Sequence, residues 1–152
     1  MSTQSDIMNR LVCPACGALN RAQSSRKLSN GACGRCKETL ATPIPVEINA
    51  ILLERLRSRD TGAFVIDVWA PWCGPCRMMA PAYDKAAAQL SDQIRFFKLN
   101  SDEHQSAAAT LGIRGVPTLI AYDGGTQIGH KSGAPTGDGL IKWIQTTFTK
   151  KD

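Results

Sequence analysis

Residues 64–81 read FVIDVWAPWCGPCRMMAP. The first seven, apolar except for Asp67, have the pattern of a buried strand, and the segment from Pro75 to Leu90 reads as a helix with a kink at Pro81. The two cysteines fall at the junction. A C-x-x-C where a buried strand runs into a helix sets its first sulfur, Cys73, at the helix N-terminus, where unpaired amides and the positive end of the dipole favour a thiolate. Cys76 follows on the same helical face, one turn deeper and within reach of a disulfide. The expectation is an exposed, acidified nucleophile at Cys73 and a resolving thiol at Cys76. Gly74 permits the tight turn into the helix, and Pro75 takes an early position where its missing N–H is no loss. Trp69 and Trp72 flank the cysteines with apolar surface suited to shielding a mixed disulfide and contacting a protein substrate.

Asp67 interrupts an otherwise apolar strand, and alternation points it inward. A buried carboxylate without a full partner has its pKa raised, which equips it to accept and donate a proton near neutral pH. Lys98, in the later run FFKLN, is its candidate partner if the two strands are neighbours.

Outward from this unit the chain alternates. Ile48 to Leu56 has helical spacing, Ile94 to Leu99 reads as a strand, His104 to Leu111 as a short helix and Thr118 to Tyr122 as a strand. After the turn signal Asp123-Gly124-Gly125, residues Gln127 to Lys131 form a weaker strand, and Asp138 to Phe148 carries an apolar stripe of Leu140, Ile141, Ile144 and Phe148. Strands interleaved with helices, then a hairpin and a last helix, predict an α/β sandwich with a mixed sheet. Pro43 and Pro45 forbid a continuous helix through ATPIPVEINA, which places a boundary between residues 1–45 and 46–152.

The first region holds Cys13, Cys16, Cys33 and Cys36, arranged as C-P-A-C, sixteen residues, then C-G-R-C. Two C-x-x-C knuckles at that spacing match a closed tetrathiolate zinc site, one structural Zn2+ per chain. Gly17 and Gly34 stand where positive φ is often needed. With only Leu11, Val12, Leu19, Leu28 and Leu40 for a core and no aromatic residue, the segment needs such a staple. Four thiolates leave no open coordination position, so the metal is structural rather than catalytic; oxidation of the thiolates is a further reading, a redox switch.

Together, WCGPC preceded by an inward Asp, Pro81 in the following helix, Gly-Val-Pro-Thr at 115–118 and the later Gly133-Ala134 resemble the thioredoxin family over roughly residues 46–150. The tetracysteine module in front resembles the bacterial thioredoxin-2 type. The resemblance implies a thioredoxin-like three-layer sandwich with a central mixed sheet, preceded by a small zinc-ribbon-like module. It implies that Pro117 is a cis-proline opposing the active-site disulfide and that the Val116 backbone pairs with an extended substrate, with Trp72, Gly74, Pro75, Gly133 and Ala134 completing the substrate surface. Pro71 stands where many members have an acidic residue, and Arg77 where many have lysine. The resemblance also implies re-reduction by an NADPH-dependent thioredoxin reductase and clients such as ribonucleotide reductase, methionine sulfoxide reductase and peroxiredoxins.

The chain has 152 residues, 43% hydrophobic and 20% charged, the profile of a globular protein. No apolar run reaches the roughly 18 residues of a membrane span. The opening MSTQSDIMNRLVCPACG has no apolar h-region or cleavage site, so the expectation is a cytoplasmic monomer, where cysteines are metal ligands or redox catalysts rather than structural disulfides. The net charge of +5 concentrates in residues 1–45, which carry six basic groups against Asp6 and Glu38; a tetrathiolate zinc site offsets about two of these charges. That balance, and the lack of aromatic residues to stack on bases, weighs against nucleic acid. Met78 and Met79 read as packing residues, His104 and His130 as surface or cap residues, and Trp143 as core or rim. No G-x-G-x-x-G or Walker A motif appears, so no nucleotide or flavin is expected on this chain. The reaction expected is reduction of protein disulfides, serving electron transfer and oxidative stress. Two alternatives stand beside it: a disulfide oxidase or isomerase, and a zinc-dependent redox-sensing or adaptor module.

Overall fold

The computed structural model describes residues 7–149; the opening residues 1–6, read above for a leader and for the charge of Asp6, lie outside the described residues. The chain runs β1 (Met8–Val12), β2 (Leu19–Gln23), β3 (Val46–Ile48), α1 (Ala50–Arg59), β4 (Phe64–Trp69), α2 (Gly74–Leu90), β5 (Arg95–Asn100), α3 (Gln105–Thr110), β6 (Thr118–Asp123), β7 (Thr126–Ser132) and α4 (Asp138–Thr149). Five strands form one sheet in the order β3-β5-β4-β6-β7, the first three parallel and the last two antiparallel. This is a thioredoxin-like α/β fold with a central mixed sheet. No described helix is long and apolar enough to cross a membrane.

Strand alternation divides the core into two layers. Phe64, Ile66 and Val68 of β4 face α1 and α3, joining Leu52, Leu53, Leu56, Phe97, Leu99 and Leu111. Val65 faces α2 and α4 with Met79, Tyr83, Phe96, Leu119, Leu140 and Ile144. Asp67 shares the Val65 face, so the alternation that buries β4 on both sides also aims this carboxyl at α2. The Gly124-Gly125 turn between β6 and β7 has positive φ at both residues, as a two-residue hairpin loop requires.

Three sequence expectations change here. Ile48 belongs not to a helix but to β3, a three-residue edge strand in register with β5 (Val46↔Phe97, Ile48↔Leu99); Asn49 then caps α1, its Oδ1 accepting from the Leu52 N–H at 2.8 Å. Leu19 is 42% exposed and forms no core. Met78 is 71% exposed, while Met79 is buried, because each step along α2 turns about 100°, which brings Met79 onto the core face and leaves Met78 off it.

The N-terminal hairpin β1-β2 docks at the end of the sheet where β4 and β5 begin. Leu11 packs so closely there that a Cβ on Gly62 would lie 2.6 Å from its Cδ2. Val12 enters the α1-side core. Its backbone is gripped from both sides. The Val12 N–H donates to Asp60 Oδ2 at 2.8 Å, and its carbonyl accepts from Arg95 Nη1 at 2.9 Å. Asp60 and Arg95 are themselves ion-paired and fully buried. Further contacts hold the module to the same end: Arg55 Nε donates to the Gly17 carbonyl at 2.7 Å, and the Leu28 N–H to the Asp92 carbonyl at 2.9 Å.

Candidate active site and metal centre

Cys73 occupies the N-cap of α2 and Cys76 its first turn; the two form a disulfide with Cα atoms 5.3 Å apart. The Cys76 N–H points at Cys73 Sγ at 3.1 Å. The same amide would stabilise a Cys73 thiolate in the reduced form. Contrary to the expectation of an exposed Cys73, the two cysteines are 3% and 4% exposed in the disulfide form. Ala70, Trp69 and Val116 pack around them. Gly74 has neither a positive φ nor a neighbour within 4 Å of a would-be Cβ, so the fold does not demand glycine; its effect is to leave the surface beside Cys73 bare.

The Val116–Pro117 peptide is cis. Cys73 Sγ lies 3.7 Å from the Val116 carbonyl oxygen. The Gly133 N–H donates to the Pro117 carbonyl at 3.1 Å, drawing Gly133 and Ala134 to the same side. Trp72 is exposed, its Nε1–H donating to Asp102 Oδ1 at 3.2 Å. Pro75 sits within the first turn of α2, and Pro81 lies inside the helix without ending it.

Asp67 is 1% exposed, and its Oδ1 has no hydrogen-bond partner. Burial pushes this carboxyl up to about 7, against the pull of Lys98 and with the help of Glu47 and Asp84. Lys98 stands directly across from it, in register on β5. The ammonium does not close an ion pair with Asp67; it sits over the Trp69 ring, 4.7 Å from the centroid. A buried acid that titrates near neutrality, on the sheet face under the helix that carries the thiol pair, can take and return a proton.

The four N-terminal cysteines converge, all four sulfurs lying within 4.8 Å of one another. Cys13 and Cys36 sulfurs are 3.6 Å apart, Cys16 and Cys33 sulfurs 3.7 Å. Two sulfurs bound ~2.3 Å from one tetrahedral ion stand about 3.8 Å apart, so the set can hold a metal ion. Each knuckle repeats one backbone pattern. The Gly17 and Lys37 N–H groups donate to the Cys13 and Cys33 carbonyls, and the Ala15 and Arg35 N–H groups to the Cys13 and Cys33 sulfurs. Both Gly17 and Lys37 have positive φ, +81° and +72°. The left-handed residue therefore follows the second cysteine of each knuckle, and the second such position is Lys37 rather than Gly34. Hydrogen bonds, first from the Cys36 backbone and then from Asn20, lower the Cys33 thiol to about 6. Asn20, which the sequence did not single out, also accepts from the Gly34 N–H through Oδ1 at 2.9 Å, tying β2 to the second knuckle.

The fold and a disulfide at a helix N-cap define a thiol–disulfide oxidoreductase. A family model described as Thioredoxin matches residues 49–146, and the chain belongs to the thioredoxin family. It is 32% identical to Thioredoxin C-3 of Corynebacterium nephridii over 134 residues, covering 88% of this chain and 92% of that one. It is 49% identical to Thioredoxin 1 of Synechococcus elongatus over 70 residues, 46% of this chain and 65% of that one. Among solved structures, thioredoxin f from spinach chloroplast superposes with a TM-score of 0.62 at 32% identity, covering 70% of this chain and 88% of that one.

Proposed function

We propose that the chain is a cytoplasmic protein-disulfide reductase of the thioredoxin-2 type, with a zinc module in residues 1–45 and a catalytic domain in residues 46–152. The observation that carries the reading is the Cys73–Cys76 disulfide set against the cis Val116–Pro117 peptide, above a buried Asp67.

In the reduced protein the Cys73 thiolate attacks one sulfur of a client disulfide. A Cys73–client bond forms, and the client's other sulfur leaves as a thiolate. Cys76 gives its proton to Asp67 and attacks Cys73 Sγ; the mixed disulfide breaks and the second client sulfur leaves. Two electrons pass to the client, and the chain is left as the disulfide. Trp72, Gly74, Pro75, Val116, Pro117, Gly133 and Ala134 form the face on which an extended client segment lies, with the Val116 backbone pairing to it. Lys98 modulates Asp67. A thioredoxin reductase returns the two electrons. Disulfide-bearing proteins such as ribonucleotide reductase, methionine sulfoxide reductase and peroxiredoxins are the client class.

Zinc at Cys13, Cys16, Cys33 and Cys36 holds together a module whose own core is Leu11, Leu40, Cys13 and Cys33. Its role is structural, since four thiolates leave the metal no open position. The match to Thioredoxin C-3 covers 88% of the chain, more than residues 46–152 contain, so it takes in part of the cysteine-bearing segment. The docking contacts, Asp60, Gly62, Asp92 and Arg95, lie where β4 and β5 begin, whereas the disulfide follows the far end of β4. One six-residue strand, about 20 Å, separates them. The module therefore leaves the Trp72 face open to large clients.

Substitution separates the two thiols. Cys73→Ser removes disulfide reduction by the full-length, metal-loaded protein, and Cys76→Ser accumulates a covalent client adduct that dithiothreitol releases. Retained turnover in Cys73→Ser would refute the mechanism.

A further inference from the structure

Across the sheet face covered by α2, three charged side chains stand in register. Glu47 on β3 is opposite Lys98 on β5, and Lys98 is opposite Asp67 on β4. Strand alternation puts all three on one face, since the flanking Val46 and Ile48 belong to the α1-side core. One ammonium thus stands between two carboxylates. It neutralises neither fully by contact: Lys98 closes no ion pair with Asp67, its Nζ rests over the Trp69 ring, and Asp67 Oδ1 remains without a partner.

We propose that Glu47 is a positioning residue for the resolving step: from the edge strand it shares the Lys98 ammonium, so that Lys98 cannot hold Asp67 permanently ionised and the buried carboxyl keeps its ability to exchange a proton with Cys76. This rests on Asp67 being the proton acceptor proposed above.

The surroundings fit this division. The charged and titratable groups facing Asp67 are Lys98 from β5, Glu47 from β3, and Asp84 and Tyr83 from α2, the helix that opens with the cysteine pair; β6 presents Leu119. Lys98 is the cation among them. Glu47 in turn meets Lys98, Trp69, Glu103 and His104, and partial burial raises its own carboxyl. Glu47 lies on an exposed edge, so its charge can be altered without opening the core.

The test is the pH dependence of the resolving step, the decay of a preformed Cys73–client mixed disulfide, in full-length metal-loaded protein. Wild type shows an acid limb near pH 7, and Asp67→Asn abolishes it. Glu47→Gln moves the limb down by about one pH unit: roughly half a unit is the direct Coulombic effect of one charge about 10 Å away across two strand spacings, at a dielectric between that of protein surface and water, and the rest comes from the Lys98 ammonium released towards Asp67. Glu47→Lys moves it about twice as far. With Lys98 already replaced by Met, the Glu47→Gln shift falls to the direct part, about half a unit. A limb that Asp67→Asn abolishes but neither Glu47 variant moves would overturn the proposal and leave Asp67 in place. So would a Glu47→Gln shift undiminished by Lys98→Met. A limb that persists in Asp67→Asn would overturn the reading of Asp67 itself, and the proposal with it.

Discussion

The Asp60 carboxylate and the Arg95 guanidinium, paired and out of solvent, hold the two polar backbone groups of Val12, the residue before the first metal-site cysteine. Asp60 Oδ1 also accepts from the Gly62 N–H at 2.8 Å, and Arg95 lies over Phe97 with its guanidinium carbon 5.4 Å from the ring centroid. The pair is the buried polar link between the N-terminal module and the sheet, beside the contacts made by Arg55 and Asp92.

Removing Asp60 strands the buried Arg95 charge and orphans the Val12 and Gly62 N–H groups. Asp60→Ala is expected to cost about 3–5 kcal/mol, measured by urea unfolding of the metal-loaded protein. Asp60→Leu with Arg95→Met should cost less than the sum of the single changes, because neither charge is then left alone. Additive losses would mean that the two side chains act independently.

Asp67 offers a test through stability alone. Its carboxyl titrates at about 7 in the folded protein and at about 3.9 in an unfolded chain. The folded state therefore binds the proton more tightly. Folding is penalised increasingly as pH rises from about 4 to about 7, and the penalty is constant above that. Asp67→Asn should stabilise the oxidised protein by up to about 4 kcal/mol at pH 8 and by little at pH 4. Denaturant midpoints at the two pH values check the sign; equal effects at both would show that Asp67 is not a raised, buried acid.

The cysteine cluster should bind one zinc ion per chain, measured by native mass spectrometry and elemental analysis. Chelation should expose Leu11 and Leu40 and raise amide exchange across residues 8–41, while the exchange protection of α2 and β6 persists. A protein that carries no zinc, or whose residues 8–41 are equally protected without it, would contradict the structural role.

The region carrying chemistry was legible because local spacing and periodicity specify it. WCGPC behind an apolar strand dictates a strand–thiol–helix unit, and Asp67 stands out as the polar residue in that strand. The spans of β4, α2, β5, β6 and α4 follow from period and turn signals to within a residue at each end. What the sequence hid depends on pairing between distant segments. Nothing local marks β3, whose three residues are a strand only because β5 lies beside them. Arg95 opens an apolar strand and reads as surface until Asp60 and the Val12 backbone are brought to it. Lys37 shows no residue-type preference for positive φ, yet takes it because the knuckle repeats the turn that Gly17 makes easily. Glu47 gains meaning only when the sheet order places it one strand from Lys98.

The central claim, reduction rather than oxidation of client disulfides, is tested most directly by the reduction potential of the Cys73/Cys76 pair, equilibrated against glutathione in the metal-loaded protein. The account predicts about −270 mV, typical of a thioredoxin fed by a reductase. A value near about −120 mV, typical of a strong disulfide-forming oxidant, differs by roughly 7 kcal/mol and would contradict it.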